Sequence, residues 1–370
     1  MLLLLPLLAS AADNPDWPRH VIAEGFNSQS AVAADFTGDG QVDVIVDANG
    51  ETRLYVSPDW RPIVLDRGHD TIHSEILDVD GDGDMDYIGA VYSPGPVFWL
   101  EQPAHPLTDP WPFRVVDEKV DGTHGLIRGD IDGDGKLDLV GNSAQPKGEF
   151  PNSIVWWRVP ANPKTVKEWE RHVIADQDAP GLSHYMGIGD IDGDGKADVS
   201  AGAKGAPATG GDWFAWWQQP ADGSTPWLKR TIAVHQPGAT NILPAELNGD
   251  GKMDLFATRG HGKGVLWFEG PAPNFKLHEI DPGLEGPHDL AVGDIDGDGD
   301  IDAATCGKES YVAAWYENDG RGGFTKHVVY DDQAVYDIRL VDMDGDGDLD
   351  ILIAGQNSMN VVWYENRVRR

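Results

Sequence analysis

A nine-residue acidic pattern, D-x-D-G-D-G-x-x-D or a near variant, recurs seven times along these 370 residues and constrains the fold more than any other feature. The copies run Asp35 to Asp43, Asp78 to Asp86, Asp130 to Asp138, Asp190 to Asp198, Glu246 to Asp254, Asp294 to Asp302 and Asp342 to Asp350. Successive starts lie 43, 52, 60, 56, 48 and 48 residues apart. A near-constant period marks an array of like units, and about 50 residues suits one four-stranded blade of a β-propeller.

Each unit repeats four apolar segments around its acidic loop. One leads into the loop (GLIRGD, MGIGD, LAVGD) and a second follows it (LDLVG, MDLFA, LDILIAG). A third is aromatic (VFWLEQP, IVWWRVP, VLWFEGP, VVWYEN) and a fourth is β-branched (FRVVD, RHVIAD, KHVVY). Such runs, broken by Gly, Pro and Asp, read as strands, and none carries a helical period. The expectation is all-β: one seven-bladed β-propeller over residues 13–370, with four-stranded blades. The sequence stops just past a third-type strand, Val361 to Glu365, and opens with a stray fourth-type strand, Arg19-His20-Val21-Ile22. Pairing these two would complete the last blade and close the ring, which leaves no open sheet edge.

The loops place carboxylates at positions one, three, five and nine, with glycines at four and six. The complete sets are Asp78, Asp80, Asp82, Asp86; Asp130, Asp132, Asp134, Asp138; Asp190, Asp192, Asp194, Asp198; Asp294, Asp296, Asp298, Asp302; and Asp342, Asp344, Asp346, Asp350. The first loop keeps Asp35, Asp39 and Asp43 around Thr37, and the fifth carries Glu246, Asn248, Asp250 and Asp254. Calcium takes six to eight oxygens at flexible distances, and glycine lets a tight loop wrap around it. One Ca²⁺ per loop is therefore expected, bound more weakly in the two variant loops. Positions one, three, five and nine of the loops hold 26 of the 62 acidic residues, and seven calcium ions would bring the net charge from −34 to about −20.

So acidic a surface repels nucleic acid and anionic membranes, which excludes both as partners. Residues 1–12 (MLLLLPLLASAA) end in small residues and are too short to span a bilayer, so they read as a signal peptide for a secreted or periplasmic protein. The single cysteine, Cys306, cannot form an internal disulfide and reads as a small buried apolar group. Stability must then come from bound metal and a large core, and a monomer is expected.

The aspartate loops and the WYEN-type third strands resemble FG-GAP/VCBS-repeat propellers of secreted bacterial proteins and of integrin α heads. The resemblance spans nearly all of the mature chain. It implies the fold and the calcium loops, but a scaffold of this kind hosts adhesion modules, lectins and lyases alike.

Trp99, Trp156, Trp216, Trp267, Trp315 and Trp363 occupy one position of the third strand, where the first unit has Leu54. Packing between blades is the preferred reading, with a sugar-stacking platform as the other. Chemistry is sought elsewhere, at the inner-strand ends away from the aspartate loops. His124, His184 and His288 each lie six residues before their loop, and His73 lies five before its own. Four histidines from four blades would converge on one mouth of the central channel. His20, His172, His278 and His327 recur in the fourth strand instead, far from the axis. Loops between second and third strands add Lys204, Arg259, His261 and Lys308 on the histidine face, with Tyr336 beside them.

Neutral imidazoles suit Zn²⁺ or another divalent metal, and a neighbouring His, Lys or Tyr could move a proton. That arrangement resembles the propeller of aldos-2-ulose (anhydrofructose) dehydratases, which eliminate water from keto-sugars. The resemblance implies a metal-assisted carbohydrate lyase or dehydratase with His73, His124, His184, His288, Tyr336, Lys204, Arg259 and His261 as its site. The alternative is a non-catalytic propeller that binds glycan or protein through exposed aromatics such as Trp111, Trp213 or Trp227. Either way the ligand expected at the channel mouth is a carbohydrate or another small polar molecule.

Overall fold

In the computed structural model, which describes residues 14–368, seven four-stranded antiparallel sheets stand around one axis. The expected signal segment lies outside the described residues. The inner strands are Ala31–Ala34, Thr71–Leu77, Leu126–Gly129, Ser183–Gly189, Ile242–Ala245, Pro287–Gly293 and Asp337–Val341, in blades one to seven. Each acidic loop joins an inner strand to the second strand of its blade, and position nine of the loop is the first residue of that second strand. Blades one to six run inner to outer in chain order. In blade seven, Asp337–Val341, Asp350–Gly355 and Asn360–Tyr364 are completed by Arg19–Glu24, which pairs antiparallel with Asn360–Tyr364. The first and last strands of the described chain thus share one sheet.

Second and third strands are buried almost throughout, because each blade is covered on both faces by its neighbours. The tryptophan column lies in these seams: Trp99 is 0% exposed, Trp315 1% and Trp216 2%. It is packing, not an open sugar platform. Across from each Trp the outer strand sets a basic side chain: His20 faces Trp363, His172 faces Trp156, His278 faces Trp267 and His327 faces Trp315. Their rings stack at 4.1, 4.1, 4.4 and 4.6 Å. The residue two beyond the Trp then anchors the imidazole, with Glu365, Glu269 and Glu317 at 2.9, 2.7 and 2.7 Å from His20, His278 and His327. Blade two substitutes Arg114 and Glu101 at 2.7 Å. The recurrent outer histidines are thus seam fittings: His20, His278 and His327 each pair an aromatic face with a carboxylate, while His172 keeps the stack and Arg158 stands two beyond its Trp.

Candidate metal centre at the channel mouth

Counting back from the acidic loops sorts the inner strands into layers. The layer six residues before the loop holds His124, His184, Thr240, His288 and Tyr336, and the layer five before holds His73, Tyr185, Asn241, Asp289 and Asp337. In a regular strand, adjacent residues face opposite sides. Register shifts between Thr71 and His73, Ser183 and Met186, and Pro287 and Leu290 relax that rule here. Such bulges re-aim side chains, so His184 with Tyr185, and His288 with Asp289, all address the axis.

The upper layer brings three imidazoles together. Ligand nitrogens of His124, His184 and His288 lie within 4.8 Å of one another, and these residues are 3%, 1% and 0% exposed. His184 Nε2 stands 3.4 Å from His288 Nε2 and 3.2 Å from His261 Nε2. Four nitrogens at the zinc bond length of 2.0–2.1 Å stand about 3.3 Å apart at the corners of a tetrahedron. His288 Nδ1 donates to the Tyr336 carbonyl at 2.9 Å, which leaves Nε2 with its lone pair towards the cluster. The Tyr336 hydroxyl lies 2.9 Å from His124 Nε2, and buried Nδ1 atoms of His124 and His184 have no hydrogen-bond partner among the described residues. A divalent metal fits this set.

One asparagine registers the cluster. Asn142 Oδ1 accepts from the amides of His124 and Gly125 at 2.7 and 3.1 Å, while its Nδ2 donates to the carbonyls of Ser183 and His184 at 2.9 and 2.7 Å. It couples blades three and four at the height of their histidines.

Burial lowers the pKa of all three imidazoles, and the charges adding to that effect are basic: each other, His73, His261, Lys204 and Lys308. His261, exposed above them, is lowered to about 3 by partial burial and the two lysines. Lys204 Nζ sits 3.2 Å from His261 Nε2, and burial beside Lys308 lowers its pKa to about 8. Lys308 Nζ lies 5.2 Å from the Tyr336 ring centre. The mouth is electropositive in a strongly acidic protein.

Two expected members fall elsewhere. His73 is one residue out of step with the other histidines and drops into the layer below. There it meets the Tyr185 ring at 5.1 Å, with Nε2 3.9 Å from Asp337. Arg259 turns outward, because Gln236 and Glu279 bind its guanidinium at 2.7 and 2.9 Å. Tyr185, which counting histidines alone overlooks, donates to the Tyr336 carbonyl at 3.0 Å and stands between the histidine layer and the rest of the channel. Below it lies a cavity of about 460 Å³, with apolar walls and an internal ion pair, Arg339 to Glu75 at 3.0 Å. Trp111, Trp213 and Trp227 are 5%, 6% and 6% exposed, so the aromatics expected to face ligand on the long inserts are packed instead.

The acidic loops of blades one, two, three, six and seven share one geometry, in which the first carboxylate accepts from both loop glycines. In blade two Asp78 accepts from the amides of Gly81, Asp82 and Gly83 at 2.8, 3.1 and 3.1 Å. Gly81 and Gly83 have φ of 78° and 98°, which favours glycine there. Asp86 is also a brace: its oxygens accept from the Val79 amide at 2.9 Å and the Gln102 amide at 2.8 Å, tying the loop to the third strand. Carboxylate oxygens of Asp78, Asp80 and Asp86 converge within 4.8 Å, as do those of Asp130, Asp132 and Asp138, Asp190, Asp192 and Asp194, and Asp294, Asp296 and Asp302. An all-oxygen set of this kind fits a hard cation such as calcium.

Residues 78–141, 190–257, 246–305 and 294–353 match the FG-GAP-like repeat family. No curated protein matches the chain by sequence. Among solved structures, an Agrocybe aegerita lectin described as recognising non-reducing terminal N-acetylglucosamine aligns at 18% identity, with TM-score 0.55 over 93% of this chain and 86% of the lectin. BBS1N, solved in complex with ARL6DN, aligns at 9% identity and TM-score 0.62 over 96% and 97%. YCF48 bound to D1 peptide aligns at 14% and 0.56 over 98% and 99%. At these identities the likeness is one of fold.

Proposed function

The chain belongs to the FG-GAP-like repeat family, and we propose that it carries a divalent transition-metal centre on that scaffold which acts as a lyase on a small, oxygen-rich, carbohydrate-like ligand. The observation that supports this is the convergence of three buried imidazoles within 4.8 Å, with basic side chains around them. A metal held by His124, His184 and His288 would act as a Lewis acid on a ligand carbonyl. Lys204 is the base for the proton on the neighbouring carbon, since burial brings its amine close to the neutral form. Tyr336 supplies a proton to the departing oxygen, so that the C–H and C–O bonds break and a C=C bond forms. His261 and Lys308 receive the ligand's electron-rich groups. The acidic loops take calcium and staple each inner strand to the rest of its blade. The apolar segment at residues 1–12 supports a place of work outside the cytoplasm.

Elemental analysis of the purified protein beside His124→Ala/His184→Ala tests the centre. About one equivalent of zinc or a similar metal should be present, and the double substitution should remove it while calcium stays. Keto-sugar elimination, read as absorbance of the unsaturated product, should be lost with it. Calcium alone, unchanged by the substitutions, overturns the centre. A second reading is then favoured, a glycan-binding propeller without turnover, as the likeness to a lectin fold suggests.

A further inference from the structure

Another oxygen-lined pocket opens on the histidine face, in blade one and away from every acidic loop. Asn27, Gln29, Asp47, Asn49, Gly50 and Asp70 enclose about 350 Å³. Four stretches of chain meet there. Asn27 and Gln29 precede the inner strand of blade one, Asp47 ends its second strand, and Asn49-Gly50 turns into the third. Asp70 precedes the inner strand of blade two. Asn49 and Gly50 have φ of 55° and 76°, the signature of a two-residue hairpin turn, and the Gly68 amide donates to the Gly50 carbonyl at 3.0 Å. The pocket therefore spans the seam between the first two blades.

Among the described residues, no basic or apolar side chain lines it. Asp47 forms the floor at 1% exposure, and its Oδ1 has no hydrogen-bond partner among the described residues. A buried carboxylate oxygen left unpaired is costly. Burial and the charge of Asp70 raise Asp47 to about 8, against the opposing pull of the Thr71, Gln29 and Gly50 amides. The guanidiniums of Arg53 and Arg67, on the third and fourth strands of the blade, are paired with Glu51. The site lacks positive charge and offers only oxygen ligands to supply it.

We propose that this pocket binds a calcium-type divalent cation between Asp47 and Asp70, with the amide oxygens of Asn27, Gln29 and Asn49 in reach as further ligands. Two carboxylates and several neutral oxygens suit a hard cation and offer no nitrogen or sulfur to a softer one. The aspartate loops would pin each blade on one face of the disc, and this cation would pin the seam between blades one and two on the other.

Hydrogen exchange of the metal-free full chain, titrated with calcium chloride, tests this. Peptides spanning 44–56 and 68–74 lie outside the acidic loops. Calcium should slow their exchange in the wild type but not in Asp70→Asn, whose exposed position keeps the fold intact, while the loop peptides respond in both. No calcium response at 44–56 in the wild type, or an equal response in Asp70→Asn, overturns the proposal. Asp47→Asn adds a second reading. It should raise the thermal midpoint in EDTA and abolish the calcium response of these peptides. A midpoint lowered equally with and without calcium would make Asp47 a backbone brace, and the cation site would fall.

Discussion

Truncating Trp315 should destabilise the propeller strongly without touching any ligand site. The indole is 1% exposed, lies 6.4 Å from Trp17 and stacks on His327 at 4.6 Å. An aromatic of this size buries about 200 Å², worth about 5 kcal/mol at 25 cal/mol per Å². Core Trp→Ala changes cost about 3–5 kcal/mol, so about 4 kcal/mol is expected for Trp315→Ala. With an unfolding entropy near 2.1 cal/mol/K per residue, a chain of 370 residues melts with about 0.8 kcal/mol/K, so the midpoint should fall by about 5 °C. His327→Ala is the control. It loses the stack and the part-buried hydrogen bond to Glu317, worth about 1 kcal/mol together, and should cost about 1 °C. Differential scanning calorimetry at fixed scan rate reads both. A loss below about 1 °C for Trp315→Ala, or one matched by His327→Ala, would refute the claim that the tryptophan column cements the blade seams.

Asn142→Ala should cost about 2–4 kcal/mol, because two amides and two carbonyls at a buried blade junction lose their partner. It should also lower metal content, since it loosens His124 and His184 together, and Asn142→Asp should restore neither; full metal occupancy in Asn142→Ala, measured by elemental analysis, would separate the asparagine from the site. A chain lacking residues 1–24 loses the outer strand of blade seven and exposes the edge at Asn360–Tyr364. It should melt at least 10 °C lower and self-associate, and adding a peptide of residues 14–26 in excess should recover part of the loss by mass action; an unchanged midpoint would refute closure through that strand.

Much of the architecture is legible in the chain because the physics behind it is local. The acidic nonapeptide needs glycine at two positions of positive φ, and these fall at fixed places in the pattern, as with Gly81 and Gly83. The aromatic and β-branched runs declare strands, and repetition at one period turns seven local statements into a ring. The Trp opposite His arrangement was within reach as well. W-x-E in the third strand and a basic residue in the fourth recur in several units, but only strand register shows that they meet.

The site was legible in part. Counting back from each loop selects His124, His184 and His288, and the count holds because the loop anchors the inner strand. Read one residue more strictly, the same count removes His73, since a single step along the strand sets it one layer lower in the channel. Arg259 could not be removed that way. Its partners Gln236 and Glu279 come from a preceding loop and an outer strand, and nothing in the spacing announces them. Sequence by itself determined the number of blades, the acidic loops and the height of each inner-strand residue, because these follow from chain-local pattern. The tertiary structure alone decided which side chains face each other across the channel. Bulges, the Asn142 bridge and competition among ion pairs select those contacts, and such forces act only between segments that folding has already brought together.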